Sequence, residues 1–287
     1  LNLGTSTWSF NNGSNGRLSI FDQASGAGNE RMTILTSGLV GIGTSTPTGK
    51  LTIKNNSTST QTLSLYTQGS AGNYTPTGSG IFMYDASGTE MMRIVATDPD
   101  DNNWNSGNLY IGTESGKNNP NDNVSAGYYN TGLGWKTLTS NTTGNQNTAI
   151  GFSVLASSTT GARNSGLGAY ALEKSTTGND NSAFGYAALG SNTIGIQNTA
   201  LGTYALRFSS STSNNVAVGY NALLFNTTGT PNTAVGTQAL QANTTGSNNT
   251  ATGENALSSN TTGSSNTATG SHALRANTPG GPNTATG

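Results

Sequence analysis

Aromatic side chains recur beside a repeated glycine and could form a row that binds sugar rings. In six consecutive repeats an aromatic residue follows the glycine by one or two positions. These residues are Trp135, Phe152, Tyr170, Tyr186, Tyr204 and Tyr220. An aromatic face offers apolar contact to a sugar ring, and a tyrosine hydroxyl adds a hydrogen bond. The six residues are therefore the candidate ligand-binding site, with a glycan as ligand. The alternative is that the rings only cover a corner of the fold and pack on one another.

A second candidate surface is a set of threonines in the last three repeats. The triplets are Thr250-Ala251-Thr252, Thr267-Ala268-Thr269 and Thr284-Ala285-Thr286. If these threonines face solvent, they form a flat Thr-x-Thr ladder of the kind that ice-binding solenoids present. If they face the interior, their hydroxyls must find hydrogen-bond partners there. The pattern leaves both orientations open.

Catalysis has little support among the side chains that could perform it. His272 is the only histidine, which leaves no base for a nucleophilic triad elsewhere. The repeats hold few carboxylates, such as Glu173, Asp180 and Glu254. We therefore expect no enzyme and no cofactor. A spike that cleaves polysaccharide would need paired carboxylates, and a pair formed between chains stays open as an alternative.

No metal site is expected either. Asp98, Asp100 and Asn102 alternate like the start of a calcium loop. However, Asn103 and Leu109 stand where such a loop needs glycine and glutamate. A solvated acidic turn is the better interpretation. The absence of cysteine rules out disulfides and thiolate zinc sites.

Composition excludes several kinds of partner. Hydrophobic residues are 31% and charged residues 8% of the 287, and the net charge is −1 without a basic cluster. Nothing here would hold a phosphate backbone, so we expect no nucleic-acid partner. No apolar run approaches the roughly 20 residues that a bilayer span needs, and no secretion signal opens the chain. The chain looks like a piece of a longer or processed protein.

A glycine at every seventeenth position organises the second half of the chain. These glycines are Gly134, Gly151, Gly168, Gly185, Gly202, Gly219, Gly236, Gly253, Gly270 and Gly287. An asparagine lies four residues before each glycine, and a leucine lies four residues after each of the first nine. A fixed period of this kind indicates a solenoid, in which each turn must stack on the next to bury its apolar residues.

Each repeat predicts a strand, a glycine corner, a second strand and a return loop. The first strand reads Asn-Thr-Ala-x-Gly, the second ends in Ala-Leu, and the loop reads Asn-Thr-Thr-Gly, as in 141–144. Side chains alternate across a strand. We expect the leucines and the aliphatic residues before the glycines to form the core. The alanines of the first strand would then face outward and let neighbouring chains approach.

The chain divides into three predicted parts. Residues 1–60 and 61–112 form two related β-rich units, with hairpins such as Leu18–Asp22 against Glu30–Ile34. Residues 113–287 form a parallel β-roll, whose first turn, 113–134, is irregular because it is five residues longer. No stretch predicts a helix. The fold class is therefore all-β, a parallel β-solenoid after a β-rich N-terminal region.

Two segments resemble known fibre proteins. Asn214-Asn215-Val216-Ala217-Val218-Gly219 and its Asn-Thr-Ala-x-Gly counterparts resemble the repeats of YadA-like heads of trimeric autotransporter adhesins, although the period here is longer. Those heads are left-handed parallel β-rolls of three chains. Residues 38–51, GLVGIGTSTPTGKL, look like a segment common in phage tail fibres and large bacterial surface proteins. Both resemblances imply an extracellular trimeric fibre on a cell surface or a virion.

The expected function is attachment. We expect a non-catalytic, homotrimeric fibre segment that displays a rigid β-roll to a glycan or protein on a host or cell surface. Three copies on one axis would turn weak contacts into avidity. The alternatives are an ice-binding solenoid and a tail spike that degrades polysaccharide.

Overall fold

The computed structural model describes residues 2–3, 6–13, 17–22, 29–42, 45–48, 50–53, 80–84, 90–96, 107–119, 127–278 and 280–287. Two compact units divide the chain, residues 1–68 and residues 69–287. The described residues form strands and turns and no helix, which confirms the all-β prediction. No helix among them is long and apolar enough to cross a membrane.

Unit 1 is a six-stranded sheet in sequence order. Its strands are β1 (Asn2–Leu3), β2 (Ser6–Gly13), β3 (Arg17–Asp22), β4 (Asn29–Ile34), β5 (Val40–Ile42) and β6 (Leu51–Ile53). Neighbours pair antiparallel as far as β5, and β5 and β6 pair parallel. The predicted hairpin is confirmed, because β3 and β4 pair with Ser19 opposite Thr33, and both of these side chains are buried.

Unit 2 is a thirteen-stranded sheet, also in sequence order. Its strands are β7 (Gly80–Tyr84), β8 (Glu90–Ala96), β9 (Leu109–Ile111), β10 (Thr131–Leu133), β11 (Thr148–Ile150), β12 (Ser165–Leu167), β13 (Ser182–Phe184), β14 (Thr199–Leu201), β15 (Val216–Val218), β16 (Asn232–Val235), β17 (Asn249–Thr252), β18 (Thr267–Thr269) and β19 (Thr284–Thr286). The hairpin β7–β8 is antiparallel, and β9 pairs antiparallel with β8. From β9 onward every pairing is parallel.

From β10 onward the parallel part is a solenoid of nine turns with a constant period. Thr131 pairs with Thr148, Thr148 pairs with Ser165, and every later strand keeps the same offset to the next. The longer first turn appears in the pairing of Leu109 with Thr131, which spans more of the chain than any later step. The alternation in residues 63–66 also predicts a strand, and the stretch 55–80, rich in Ser, Thr and Gly, predicts a loop. That strand, the loop as far as residue 79 and the acidic turn 98–103 lie outside the described residues, whereas Gly80 begins β7.

The predicted core was half right. The leucines are in the interior, and Leu172, Leu189 and Leu206 are completely buried. The aliphatic residues before the glycines are not, because they point outward, as Leu201 does with 49% of its surface exposed. The alanines of the first strand are the buried partners of the leucines, as Ala200 is. The alternation was correct, but the two faces were assigned the wrong way round.

Interior volume explains why alanine lies inside. A leucine from each turn fills the narrow interior, so that only a small side chain fits on the strand opposite. Where one interior residue is larger, glycine stands in place of the alanine next to it. Tyr110 takes the alanine position in β9, and a Cβ on Gly132 in β10 would lie 2.8 Å from its ring. Val154 similarly replaces an alanine, and a Cβ on Gly166 would collide with its Cγ1.

A buried asparagine column lies on the same inner face, two residues before the alanines. The backbone N–H of Asn164 donates to Oδ1 of Asn147 at 2.9 Å, and Nδ2 of Asn164 donates to the Gly178 carbonyl at 2.8 Å. The same arrangement recurs from Asn130 to Asn266 in almost every turn. A short alkyl side chain with both a donor and an acceptor can link successive turns without leaving a buried polar atom unpaired.

The predicted second strand is wrong. Residues 169–172, which end in the Ala-Leu pair, form a turn. Tyr170 and Leu172 have φ of 62° and 52°, and the equivalent residues of every turn share this conformation. Their N–H groups still bond along the axis, from Tyr170 to the Phe152 carbonyl at 2.8 Å and from Leu172 to the Ala188 carbonyl at 3.0 Å. Hydrogen bonds to neighbouring turns therefore compensate for a positive-φ backbone conformation that non-glycine residues rarely adopt.

Tyr110 fills the first position of the interior column. Its side chain is 1% exposed, and its hydroxyl accepts a hydrogen bond from Nδ2 of Asn119 at 2.8 Å. Burial raises the pKa of this hydroxyl far above its ordinary value, against smaller opposing effects of hydrogen bonds from Asn130, Asn141 and Asn119. The ring therefore stays neutral.

The glycine corners are confirmed as positions that exclude a side chain. Gly185 has φ of 137°, and a Cβ there would lie 2.6 Å from the carbonyl carbon and oxygen of Gly202 in the next turn. The corners of successive turns therefore touch through their backbones.

We expect Gly185→Ala to destabilise the solenoid by about 2–4 kcal/mol, because it adds both backbone strain and a clash with the next turn. The urea midpoint of unfolding would measure this. Gly190→Ala is the matched control in the same turn. Its Cβ would lie 3.1 Å from the Ala187 carbonyl, and Glu173 and Arg207 occupy the same repeat position, so the midpoint should change little. Equal effects of the two substitutions would contradict the role of the corner.

Candidate functional site

The six aromatic residues form one continuous row. Ring centroids of consecutive members lie 4.6 Å apart for Trp135 and Phe152, 5.1 Å for Phe152 and Tyr170, 5.7 Å for Tyr170 and Tyr186, 5.4 Å for Tyr186 and Tyr204, and 6.4 Å for Tyr204 and Tyr220. Such spacings are those of favourable aromatic pairs. The rings therefore form the row that the sequence predicted, and they also pack on one another, as the alternative interpretation expected.

The glycine corner positions the rings. Trp135, Phe152, Tyr186 and Tyr220 come directly after the glycine, at the end of the strand. Tyr170 and Tyr204 come one residue later, where φ is positive. Because the parallel ladder places successive turns about 4.8 Å apart, these side chains meet their neighbours without any further support.

Contacts within the row change along its length. Trp135 and Phe152 are stacked, with 22° between their planes, whereas the next three pairs meet edge to face at 70° to 85°. All six rings are partly or largely exposed, and Tyr220 keeps half of its surface in solvent. Neighbouring turns therefore cover the rings only in part. The row is therefore partly open to solvent along its whole length.

Two cations contact the row, one at its first ring and one at its fifth. Nζ of Lys136 is 4.2 Å from the Trp135 ring centroid, and it is also 3.7 Å from a carboxylate oxygen of Glu114. The guanidinium carbon of Arg207 is 4.6 Å from the ring centroid of Tyr204. Both positions allow a cation–π interaction.

A second aromatic pair adjoins Arg207. Phe208 and Phe225 are parallel to within 2°, with centroids 5.5 Å apart, and the Arg207 guanidinium carbon is 5.0 Å from the Phe208 centroid. The sequence also places Leu224 near these two residues on successive turns, but its side chain is buried. Arg207 thus connects the Phe208–Phe225 pair to the aromatic row, a link that the sequence analysis missed. Its signal was a charged residue directly before the first phenylalanine.

The outer face of the sheet carries two columns whose side chains are exposed or half-buried. In the seven strands β10–β16 one column is the mostly aliphatic set Leu133, Ile150, Leu167, Phe184, Leu201, Val218 and Val235. In the three strands β17–β19 threonines replace it, and Thr250, Thr252, Thr267, Thr269, Thr284 and Thr286 are all exposed. The orientation that the sequence left open is therefore outward.

Two polar residues considered for catalysis, Asp180 and His272, form no catalytic arrangement in the structure: Asp180 is in an ion pair and His272 is exposed. Arg163 forms a bidentate ion pair with Asp180 in the next turn, at 2.6 and 2.9 Å, and this bond lowers the pKa of the Asp180 carboxyl. His272 is exposed, 2.9 Å from the Ser271 hydroxyl. In the described part of the chain, no three His, Cys, Asp or Glu side chains gather as a metal site would require.

The Asn-x-Ser/Thr triplets of the return loops place their asparagines inside. Asn141, Asn226, Asn243 and Asn260 are completely buried, and each Nδ2 donates to the carbonyl of the glycine three residues later. Their amides are therefore part of the fold and not open to a modifying enzyme.

Comparison with known proteins found no relative. No protein-family model, no curated protein and no solved structure matches the chain.

Proposed function

We propose that this chain is a non-catalytic segment of an extracellular attachment fibre that binds glycans through its aromatic row. The observation that carries the proposal is the continuity of the six rings, with consecutive centroids no more than 6.4 Å apart. A sugar chain laid along the row would meet a ring at every turn, whatever its register. Contact with each ring is weak, so that binding relies on repetition.

We also propose that copies of the chain associate through the outer sheet face. The exposed aliphatic column gives each protomer an apolar stripe seven turns long, in which Leu167 and Leu201 keep nearly half of their surface in solvent. Stripes of this kind usually mark an interaction surface. A second copy is a fitting occupant, because its own stripe has the same spacing from turn to turn. The alanine columns, expected to serve this contact, are buried and do not.

Three-fold symmetry and a left-handed coil follow from the resemblance to YadA-like heads. A trimer around the aliphatic stripes leaves the row of rings on a different surface, beyond the glycine corner. It would display three rows on one rigid rod. The place of such a rod is a cell surface or a virion, as the resemblances of both segments imply.

Ice binding is a second candidate function, favoured by the exposure of the six threonines. They form two parallel columns on three turns of a regular sheet, about 4.8 Å apart along the axis and roughly 6.7 Å apart along each strand. Methyl and hydroxyl groups at fixed spacing are suited to hold ordered water.

The glycan proposal predicts that Tyr186→Ala combined with Tyr204→Ala abolishes retention on immobilised polysaccharides. The row would then be interrupted at its centre. The fold should survive, because Ala169 and Ala187 are the native residues at these two repeat positions. Binding is measured by surface plasmon resonance, and the circular dichroism spectrum checks the fold. Ile194→Ala, which removes an exposed apolar side chain from a return loop, is the control. Undiminished binding by the double variant would refute the proposal.

The association proposal predicts a mass in light scattering of three times the 29.1 kDa of one chain. Leu167→Ser combined with Leu201→Ser should lower that mass, because it places hydroxyls in the apolar stripe. The Tyr186→Ala and Tyr204→Ala variant should keep the mass of the unmodified protein, which separates the two surfaces. A folded monomer of the unmodified protein would contradict the association.

The ice-binding candidate predicts thermal hysteresis in a solution of the protein. Thr267→Lys should remove most of it, because a long charged side chain breaks the middle of the threonine array. His272→Lys, an exposed position outside the sheet, is the matched control and should leave it unchanged. Freezing without hysteresis in the unmodified protein would dismiss this candidate.

A further inference from the structure

Arg207 is held between two aromatic clusters. Its guanidinium carbon lies 4.6 Å from the Tyr204 ring centroid and 5.0 Å from the Phe208 ring centroid, and the residue is half-buried. Contacts of this kind use the face of the planar guanidinium. Because the N–H groups of a guanidinium lie in its plane, packing against a ring face leaves them able to donate. The side chain is therefore oriented before any ligand arrives.

Arg207 has no acidic partner in the described part of the chain. The ion pairs there join Lys117 and Lys136 to Glu114, and Arg163 to Asp180. Lys136, the cation at the first ring of the row, is thus already close to a carboxylate. Of the two cations at the aromatic row, Arg207 is therefore the one whose charge is not offset by a neighbouring carboxylate.

We propose that Arg207 makes the aromatic row a site for acidic polysaccharides. A sugar carboxylate binds the guanidinium edge through two parallel hydrogen bonds, while the adjoining sugar rings pack on the Tyr204 and Tyr186 side of the row. This assignment rests on the proposed glycan function and names the class of glycan. Two bonds from a fixed, charged fork are among the stronger polar contacts a protein makes.

The charge distribution favours a sparsely charged polymer. Among the described residues, Arg207 is the single cation that lies between rings without a carboxylate beside it, and the net charge of the chain is −1. A densely charged polyanion such as a nucleic acid would need a basic stripe. A polysaccharide in which acidic sugars alternate with neutral rings matches both parts of this surface.

The same repeat position supplies a matched control. Arg275 lies five residues after its corner glycine, as Arg207 does. The backbone N–H of each arginine donates to the carbonyl three residues earlier, at 3.0 Å in Arg275 and 3.2 Å in Arg207. His272 and Ala276 stand there in place of Tyr204 and Phe208. Arg275 thus has the charge without the two aromatic clusters. Gln241 occupies this position in another turn, so glutamine is compatible with the fold.

The experiment measures binding to hyaluronan and to unsulfated chondroitin, in both of which an acidic sugar alternates with a neutral one, each beside a counterpart whose carboxyl groups have been reduced to alcohols. We expect the unmodified protein to bind at least one acidic polymer about tenfold more tightly than its reduced counterpart. Arg207→Gln should lose about this factor on the acidic polymer and little on the reduced one. Arg207→Lys should recover only part, since an ammonium lacks the planar fork. Arg275→Gln should bind like the unmodified protein, and added salt should weaken only the acidic interaction.

The outcomes separate this inference from the proposed function. Equal binding of acidic and reduced polymers, lost in the Tyr186→Ala and Tyr204→Ala variant, would overturn the role of Arg207 and keep the glycan function. An equal loss on both polymers in Arg207→Gln would make its role structural and overturn the inference. Equal losses in Arg207→Gln and Arg275→Gln would reduce the effect to general charge. Binding to none of the polymers, charged or reduced, would overturn both proposals.

Discussion

The asparagine column is the interaction on which the solenoid depends. Each side chain accepts a hydrogen bond from the backbone N–H of the asparagine in the next turn and donates one to a carbonyl of the return loop, and the whole column is buried. An interior that held only methyl groups would leave these backbone groups unpaired, at a cost of about 1–3 kcal/mol each. The column therefore fixes the period of the coil. An inserted residue would move the asparagine of its turn out of register with the asparagines of the preceding and the following turn.

The narrow interior explains the composition. With leucine from one side and alanine from the other, a turn buries few carbon atoms, and hydrogen bonds along the axis supplement them on every side of the coil. Residues with unusual φ persist because the neighbouring turns hold them. Larger residues enter only where a glycine makes room, as Tyr110 and Val154 show beside Gly132 and Gly166. A low fraction of hydrophobic residues is thus compatible with a well-packed protein.

The surface features follow from the same geometry. A position that points outward in one turn points outward in all, so a residue type repeated along a column becomes a stripe. The aromatic row, the aliphatic stripe and the threonine ladder all arise in this way. Arg207 departs from the pattern because its neighbours Tyr204 and Phe208 belong to two different aromatic clusters and share one guanidinium. A repeat fold can thus present a local site within a periodic surface.

The sequence by itself determined the period, the parallel stacking, the glycine corners, the leucine core and the alignment of the six rings. Each follows from spacing alone, because equivalent residues of successive repeats must lie one above another. The tertiary structure decided which face of each strand is buried. Alternation along the strand puts Asn and Ala on one face and Thr and the aliphatic residue on the other, but it does not say which face is buried. Hydrophobicity favoured the face with the aliphatic residue, which is the exposed one. The interior has room for a methyl group and for an amide that pairs with the backbone, and only the packed coil shows how small that room is.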